Sequence, residues 1–382
     1  MSHKEPAAEN IVVAPCHPIS RWWPKETVVI VTGANKGIGF ALVKQLAKLG
    51  LTVVLTARST IRGVEALESL KTEGLHVHFF GLDVSDPNSI QAFVSRFQEA
   101  FGVVDILETV VIVTGANKGI GFALVKQLAK LGLTVVLTAR STIRGVEALE
   151  SLKTEGLHVH FFSLDVSDPN SIQAFVSRFQ EAFGVVDILI NNAAVSFNDI
   201  NENSVKEAET VIRTNFYGPK MLTEALLPLF RRSSLAGRIL NVSSRLGLLD
   251  KLKNPKIKEM LLDEENLCEE KIDWMVNLFL ENVKNGTWKS QGWPQIWTDY
   301  AVSKLALNAY SKVLAKRYKG HGLSVNCFCP GFTQTSMTGG KGTHTASDVA
   351  EVIARLVLLP VEELPTGKFY VFGSNHVIYS KL

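Results

Sequence analysis

The sequence predicts an α/β protein built on a doubly wound parallel sheet, with helices covering both faces. Three observations carry that prediction. From Thr109 onward, short β-branched runs alternate with longer stretches of helical periodicity. The β runs are apolar throughout and do not alternate with polar residues, the pattern of strands buried on both faces. A glycine-rich turn, "TGANKGIG", follows the first run and opens a helix.

The runs that read as strands are 109–114, 133–139, 158–162, 185–190, 238–242, 323–329 and 368–372. Sheets of this type bind ligands beyond the carboxyl ends of their strands. Polar and turn residues suited to that task fall at those ends here. Strand one runs into Gly115, Asn117, Lys118, Gly119 and Gly121, and strand two ends at Arg140. Strand three leads to Asp165, strand four to Asn192, strand five to Ser244 and strand six to Pro330–Gly331.

In the glycine turn, the missing side chains permit a tight bend and close approach of backbone to a pyrophosphate. The helix "GIGFALVKQLAKLG" then points free N–H groups at that charge. Ile120, Ala123, Leu124, Leu128 and Leu131 recur at helical spacing and are expected to face the sheet. The glycines alone would also read as an ordinary turn. An acid at the end of strand two would bind the ribose 2′-OH of NAD. Arg140 occupies that place and Lys118 lies in the loop, so the pair suits a 2′-phosphate and therefore NADPH. The alternative is two solvated surface charges.

Ser244, Tyr300 and Lys304 form the reactive group. Tyr300 and Lys304 stand four apart in the helical stretch "YAVSKLALNAY" and share a face. An adjacent ammonium is expected to lower the phenol's ordinary value of about 10, so that the Tyr exchanges a proton with a carbonyl or alcohol oxygen. The Ser244 hydroxyl can bind the same oxygen. Asn215, in "VIRTNFYGPKMLTEALL", is expected to hold a water that relays protons from Lys304. A Tyr-x-x-x-Lys pair by itself is more often a surface pair than a catalyst.

The chain also repeats itself. Residues 26–107 recur as 108–189, differing only at Gly81 versus Ser163. At the seam "VVDILE" runs directly into "TVVIVTG", whereas neighbouring parallel strands need a crossover of about a dozen residues or more. If the second copy belongs to the main sheet, the chain flows unbroken into Asn191 and Asn192. The expected organisation is a disordered tail over 1–25, a duplicated partial dinucleotide-binding segment over 26–107, and a complete domain over 108–382. The first copy has Gly33, Gly37, Gly39 and Arg58 but no Ser, Tyr and Lys set. A mis-assembled gene product is the other reading of the repeat.

Composition narrows the function classes. Net charge is +3 over 382 residues, which gives no reason to expect nucleic acid or an anionic membrane surface. No apolar run reaches the ~18 residues of a membrane span. The four cysteines are too few and scattered for a disulfide framework, and no residue spacing suggests a metal site. Cys327 and Cys329, in "LSVNCFCPG", share a strand face and read as core thiols in preference to a redox pair. A cytoplasmic protein is expected.

The motifs "TGANKGIG", "NNAA" (191–194), "RILNVSS", "YAVSK" and "CPG" resemble the short-chain dehydrogenase/reductase family over about 108–382. They are most similar to its carbonyl reductase group acting on terpenoids and alkaloids, whose marks are "GANKGIG", "GWP" (292–294) and a long segment before "YAVSK". Ala194 stands where the family usually has glycine. The resemblance implies a Rossmann-type fold and a catalytic set of Asn215, Ser244, Tyr300 and Lys304. It implies a cofactor site of Gly115, Ala116, Asn117, Lys118, Gly119, Ile120, Gly121, Arg140, Asp165, Val166, Asn192, Tyr300, Lys304, Pro330, Gly331 and Thr335. The implied reaction is reversible, NADPH-dependent reduction of a ketone or aldehyde on a small apolar compound. The alternative is a non-catalytic nucleotide- or partner-binding protein.

Ser244 and Tyr300 are 56 residues apart, and the extra segment spans about 250–294. Its Leu261, Leu262, Ile272, Met275, Phe279 and Val283 suggest amphipathic helices, either a packed decoration or a substrate lid. In the resembling reductases such a segment covers the face that others use to dimerise, which implies a monomer.

Overall fold

The computed structural model describes residues 9–11, 27–101, 109–197, 204–231, 237–359, 365–373 and 377–381. The rest of the expected tail and most of the seam, 102–108, lie outside the described residues. The chain divides into two compact units, one within Arg21–Leu107 and one within Glu108–Leu382 together with Met1–Ser20.

The described residues begin with strand β1 (Glu9–Ile11). The smaller unit follows as β2 (Val28–Val31), α1 (Gly37–Lys48), β3 (Thr52–Ala57), α2 (Thr60–Thr72), β4 (His78–Gly81) and α3 (Pro87–Phe101). Its strands form a parallel three-stranded sheet ordered β2-β3-β4. Two small apolar clusters hold it, Val43, Val53, Leu55 and Leu70 on one face and Val54, Phe93 and Phe97 on the other.

The larger unit opens with β5 (Val110–Val113), α4 (Gly119–Lys130), β6 (Thr134–Ala139), α5 (Thr142–Thr154), β7 (His160–Ser163), α6 (Pro169–Phe183) and β8 (Ile188–Asn191). It continues with α7 (Val205–Ile212), a π-helical turn (Arg213–Tyr217), α8 (Gly218–Leu226) and β9 (Gly237–Val242). Then come α9 (Pro255–Leu262), α10 (Glu269–Lys284), α11 (Thr298–Arg317), β10 (Leu323–Cys329), α12 (Ala346–Val357), β11 (Lys368–Phe372) and β12 (Val377–Lys381). The nine-stranded sheet runs β1-β12-β11-β10-β9-β8-β5-β6-β7. Strand order reverses at β5, which pairs in parallel with both β6 and β8. That switch point is where an open α/β sheet leaves a crevice.

One edge differs from the all-parallel expectation. β12 pairs antiparallel with β11, and β1 pairs antiparallel with β12. Glu9–Ile11 therefore has regular structure inside the segment expected to be a disordered tail. The reason is the open backbone edge of β12, which any short extended segment can satisfy.

Local signals explain the helices that frame the crevice. The Asp168 side chain caps α6 by accepting from Asn170 N–H, with Pro169 in the first turn. Thr345 and Asp348 form a reciprocal capping box on α12. One face of the sheet carries α4, α5 and α12 over Val111, Val113, Leu137 and Ile190. The other carries α6, α7, α8, α10 and α11 over Ile112, Val136, Leu189 and Val325. Leu131, expected to face the sheet, is 42% exposed at the end of α4, because the helix stops at Lys130 and turns away at Gly132. In the inserted segment Leu261, Ile272, Met275, Phe279 and Val283 are buried, but Leu262 is 55% exposed on the outer side of α9. No described helix is long and apolar enough to cross a membrane.

Candidate active site

The glycine turn sits on the β5–β8 switch point. Gly115 and Gly119 hold φ of 61° and 59°, a region only glycine adopts freely. A side chain on Gly115 would begin 2.8 Å from Ala193 Cα, and one on Gly121 would begin 2.5 Å from Asn192 Nδ2. The turn therefore lies directly on the β8 exit loop. Asn192 Nδ2 donates to the carbonyls of Thr114 (2.8 Å) and Gly115 (3.3 Å), and Ala116 N–H donates to Thr138 O (2.8 Å). Thr114 Oγ1, which sequence reasoning passed over, accepts from both Asn192 and Ala193 N–H at 2.9 Å. Its only sequence signal is position, the last residue before the glycine.

Helix α4 begins at this turn with Lys118 as its cap residue, no side-chain cap and no acid in its first turn. By contrast α5, α6, α7, α9 and α12 are capped by Ser141, Asp168, Ser204, Asn254 and Thr345. An uncapped helix start behind a glycine cradle is suited to an anion such as a pyrophosphate. Asn117 is partly buried in the turn, and Ile120 packs toward the cluster around Leu124. Thr335, which begins the 3-10 turn Ser336–Thr338, sits 3.5 Å from where a Gly119 side chain would start.

Farther along the crevice, Arg140 is exposed at the end of β6, its Nε 3.9 Å from Asp165 Oδ2. Lys118 is exposed as well. Asp165 spends its other oxygen on Ser167, accepting from both the N–H and the hydroxyl. Val166 is buried and abuts Gly218, where an added Cβ would lie 2.8 Å from its carbonyl oxygen. Pro330 and Gly331 (φ 69°) leave β10, with His344 beneath Gly331.

The first copy has the same turn without the floor. Among the described residues nothing lies within 4 Å of where a side chain on Gly33 or Gly37 would start, and Thr32 is exposed where Thr114 is buried. No described strand takes the place of β8 beside β2.

The reactive group lies where β9 meets α11. Lys304 Nζ is buried and donates to Val242 O at 2.7 Å, with the nitrogen 5.5 Å from the centre of the Tyr300 ring. Ser244 begins two residues beyond Val242 and accepts from Leu246 N–H at 3.1 Å. Its turn is pressed against α11, for a side chain on Gly247 would start 2.5 Å from the Lys304 backbone. Asn308 locks this junction, accepting from Ser243 Oγ (2.6 Å) and donating to Gly247 O (3.0 Å). With Ser311, which accepts from Asn241 Nδ2 at 2.7 Å, it makes a polar row along a buried helix. The four-residue spacing of Tyr300, Lys304 and Asn308 was the available signal for it.

Two expectations change. Burial, aided by the neighbouring Cys329, raises the Tyr300 phenol well above its ordinary value. The anticipated lowering by Lys304 is absent because the ammonium is aimed at Val242 O and is itself lowered to about 8 by burial. The Asn215 side chain is already committed. Its amide donates to Val195 O (2.9 Å) and Ser303 Oγ (3.2 Å) and its oxygen accepts from Val195 N–H (2.9 Å). It braces the β8 exit loop against α11 from within the π-helical turn, and no contact joins it to Lys304 among the described hydrogen bonds. Trp297 adds an unforeseen feature, a non-glycine residue at φ 49° that caps α11 and sets its ring edge-on to Tyr300.

A family model for short chain dehydrogenase matches residues 27–108, 109–255 and 289–346. The chain belongs to this family. The unmatched stretch between 255 and 289 falls in the inserted segment, and the family pattern begins twice because its first portion is present twice. Among relatives of this short-chain dehydrogenase, (+)-neomenthol dehydrogenase of Arabidopsis thaliana is 39% identical over 68% of this chain and 94% of its own length. Salutaridine reductase of Papaver bracteatum is likewise 39% identical, over 68% and 93%. Mouse carbonyl reductase [NADPH] 1 is 36% identical, over 68% and 95%. The structure of salutaridine reductase from Papaver somniferum superposes with a TM-score of 0.64 at 37% identity, covering 68% of this chain and 99% of that one.

Proposed function

We propose that this short-chain oxidoreductase reduces a ketone or aldehyde on a small apolar compound, of terpenoid or alkaloid type, reversibly and with NADPH. The observation that supports the reading is the junction of β9 and α11, where Lys304 Nζ reaches Val242 O, two residues before Ser244, and stands 5.5 Å from the centre of the Tyr300 ring. The names of the relatives, a carbonyl reductase [NADPH], a (+)-neomenthol dehydrogenase and a salutaridine reductase, support the substrate class. Exposed Arg140 and Lys118 support a 2′-phosphate over a bare ribose.

The bound nicotinamide would supply the hydride. Everything else falls to this chain. The glycine turn and the bare start of α4 hold the pyrophosphate. Tyr300, its phenol kept protonated by burial, gives its proton to the carbonyl oxygen as that oxygen gains charge. Ser244 donates a hydrogen bond to the same oxygen, and Lys304, anchored on Val242 O, holds the turn of α11 that presents Tyr300. Asn215 positions the β8 exit loop against the helix bearing both.

Helix α10 packs against α7 and α11, the face through which a family member would pair, so this unit is proposed to act as a monomer. A cytoplasmic location fits the free thiols of Cys268, Cys327 and Cys329. The test is NADPH consumption against cyclic ketones and aromatic aldehydes. Tyr300→Phe should lose turnover by on the order of 10²–10⁴ while still binding NADPH. Undiminished turnover would refute the mechanism.

A further inference from the structure

Trp297 holds a backbone conformation that its side chain does not suit. It is the only non-glycine residue at positive φ among the described residues, at φ 49° and ψ 52°. A bulky residue there is an outlier that persists only where its surroundings fix it, and such residues gather at functional sites. Nothing at the start of α11 asks for an indole. Trp297 makes no side-chain cap, and its part in the turn is its carbonyl, which accepts from Ala301 N–H at 2.7 Å. Thr298 closes the same turn, donating from Oγ1 to Pro294 O at 2.8 Å. Glycine would take this backbone shape without strain.

Trp293, four residues earlier, shows what a structural tryptophan looks like in this segment. It is wholly buried, its indole N–H donates to Asn282 Oδ1 at 2.9 Å, and its ring meets Phe279 edge-on. Trp297 is only half-buried, and its indole N–H takes part in none of the described hydrogen bonds. The one ring it meets among the described residues is that of Tyr300, centre to centre at 6.0 Å and 85°. Ile296, next to it in sequence, is 60% exposed, so two apolar side chains in a row are left open at the start of α11. A half-open apolar ring against the proton donor is placed to meet whatever takes the proton.

We propose that Trp297 is a specificity-determining residue, an apolar wall beside Tyr300 that favours ketones carried on a ring over open-chain ones. The proposal rests on the reductase reading above and narrows its substrate class. A flat indole gives a cyclic skeleton a broad contact, whereas an open chain must give up rotational freedom to lie against it. The strain is kept because glycine, which would relieve it, would remove the wall.

Steady-state kinetics of the full chain with NADPH test this, comparing an alkyl-substituted cyclohexanone with the straight-chain ketone of the same carbon number. Wild type should favour the ring ketone in kcat/KM. Trp297→Gly should lower that preference by roughly tenfold or more, chiefly through KM for the ring ketone, and Trp297→Phe should keep most of it. Trp297→Gly should also melt no lower than wild type and bind NADPH as tightly by calorimetric titration. Tyr300→Phe is the control and should lose both ketones. A preference unchanged in Trp297→Gly, or a loss of kcat equal on both ketones, overturns the proposal and leaves the reductase reading standing. So does a Trp297→Gly protein that melts well below wild type, or a wild type that reduces neither ketone. Undiminished turnover by Tyr300→Phe overturns the reductase reading itself.

Discussion

Replacing Lys304 with methionine should abolish turnover and at the same time stabilise the cofactor-free protein. Burial lowers this ammonium from its ordinary 10.5 to about 8. At about 1.4 kcal/mol per pH unit of displacement, keeping the charge inside costs the fold ~3 kcal/mol at pH 7. Methionine fills a similar volume without the charge, but it leaves Val242 O without the 2.7 Å hydrogen bond, a loss of about 1–2 kcal/mol. The net gain is ~1–2 kcal/mol, or roughly 2–6 °C in the melting of the larger unit. The pH dependence has a definite sign. The folded value lies below the unfolded one, so between about pH 8 and 10.5 the unfolded chain binds more protons and wild-type stability rises with pH. The advantage of Lys304→Met should therefore shrink across that window, vanish near about pH 9 and reverse at the upper end, where only the lost hydrogen bond remains. Differential scanning calorimetry of both proteins from pH 7 to 10.5 measures it, with other titrating groups cancelling in the difference. A variant that melts below wild type at pH 7, or a gap that does not narrow, would refute the reasoning.

The repeat supplies its own controls for two further substitutions. Arg140→Asp should weaken NADPH binding by roughly tenfold to a hundredfold, whereas Arg58→Asp should leave it unchanged, with one tight site per chain by calorimetric titration; equal effects or two equal sites would show that both turns bind. Gly121→Ala drives a carbon to 2.5 Å from Asn192 Nδ2 and should cost ~2–4 kcal/mol in overpacking and displaced hydrogen bonds, whereas Gly39→Ala, whose nearest described neighbours are Ala34 at 2.9 Å and Gly33 at 3.1 Å, should cost less. Chemical denaturation of the pair checks it, and matching losses would mean that the Asn192 floor contributes nothing.

Much of the fold was legible because buried parallel strands leave uninterrupted apolar runs, and the site was legible because its residues cluster at strand ends. The rest depended on partners distant in sequence. β1 is a short edge strand and β12 the short strand between it and β11, and their pairing needs only an open backbone, so neither Glu9–Ile11 nor Val377–Lys381 carries a composition signal. The role of Asn215 could not be read from "TNFYG", because its partners are Val195 and Ser303 on other elements. The direction of the Tyr300 shift was misjudged because four-residue spacing fixes which face two side chains share, not where an ammonium points. Lys304 points at Val242 O.

The duplication also makes folding a race. Two nearly identical segments can offer a first strand to β8 in the same register, Val111 opposite Ile188 in the structure and Val29 as its twin. The twin lies about twice as far along the chain, and doubling a loop disfavours closure by only about 0.6 kcal/mol, roughly threefold. Chain entropy thus rejects the wrong segment weakly, and the decision falls to the packing of the finished sheet, in which β5 pairs with β8 and α4 shares an apolar cluster with α12. Molecules that pair first with the amino-terminal twin must dissolve a well-packed mistake before finishing. The expected signature is a slow refolding phase in the full chain that vanishes when 26–107 is removed; identical kinetics with and without that segment would show that the twin never competes.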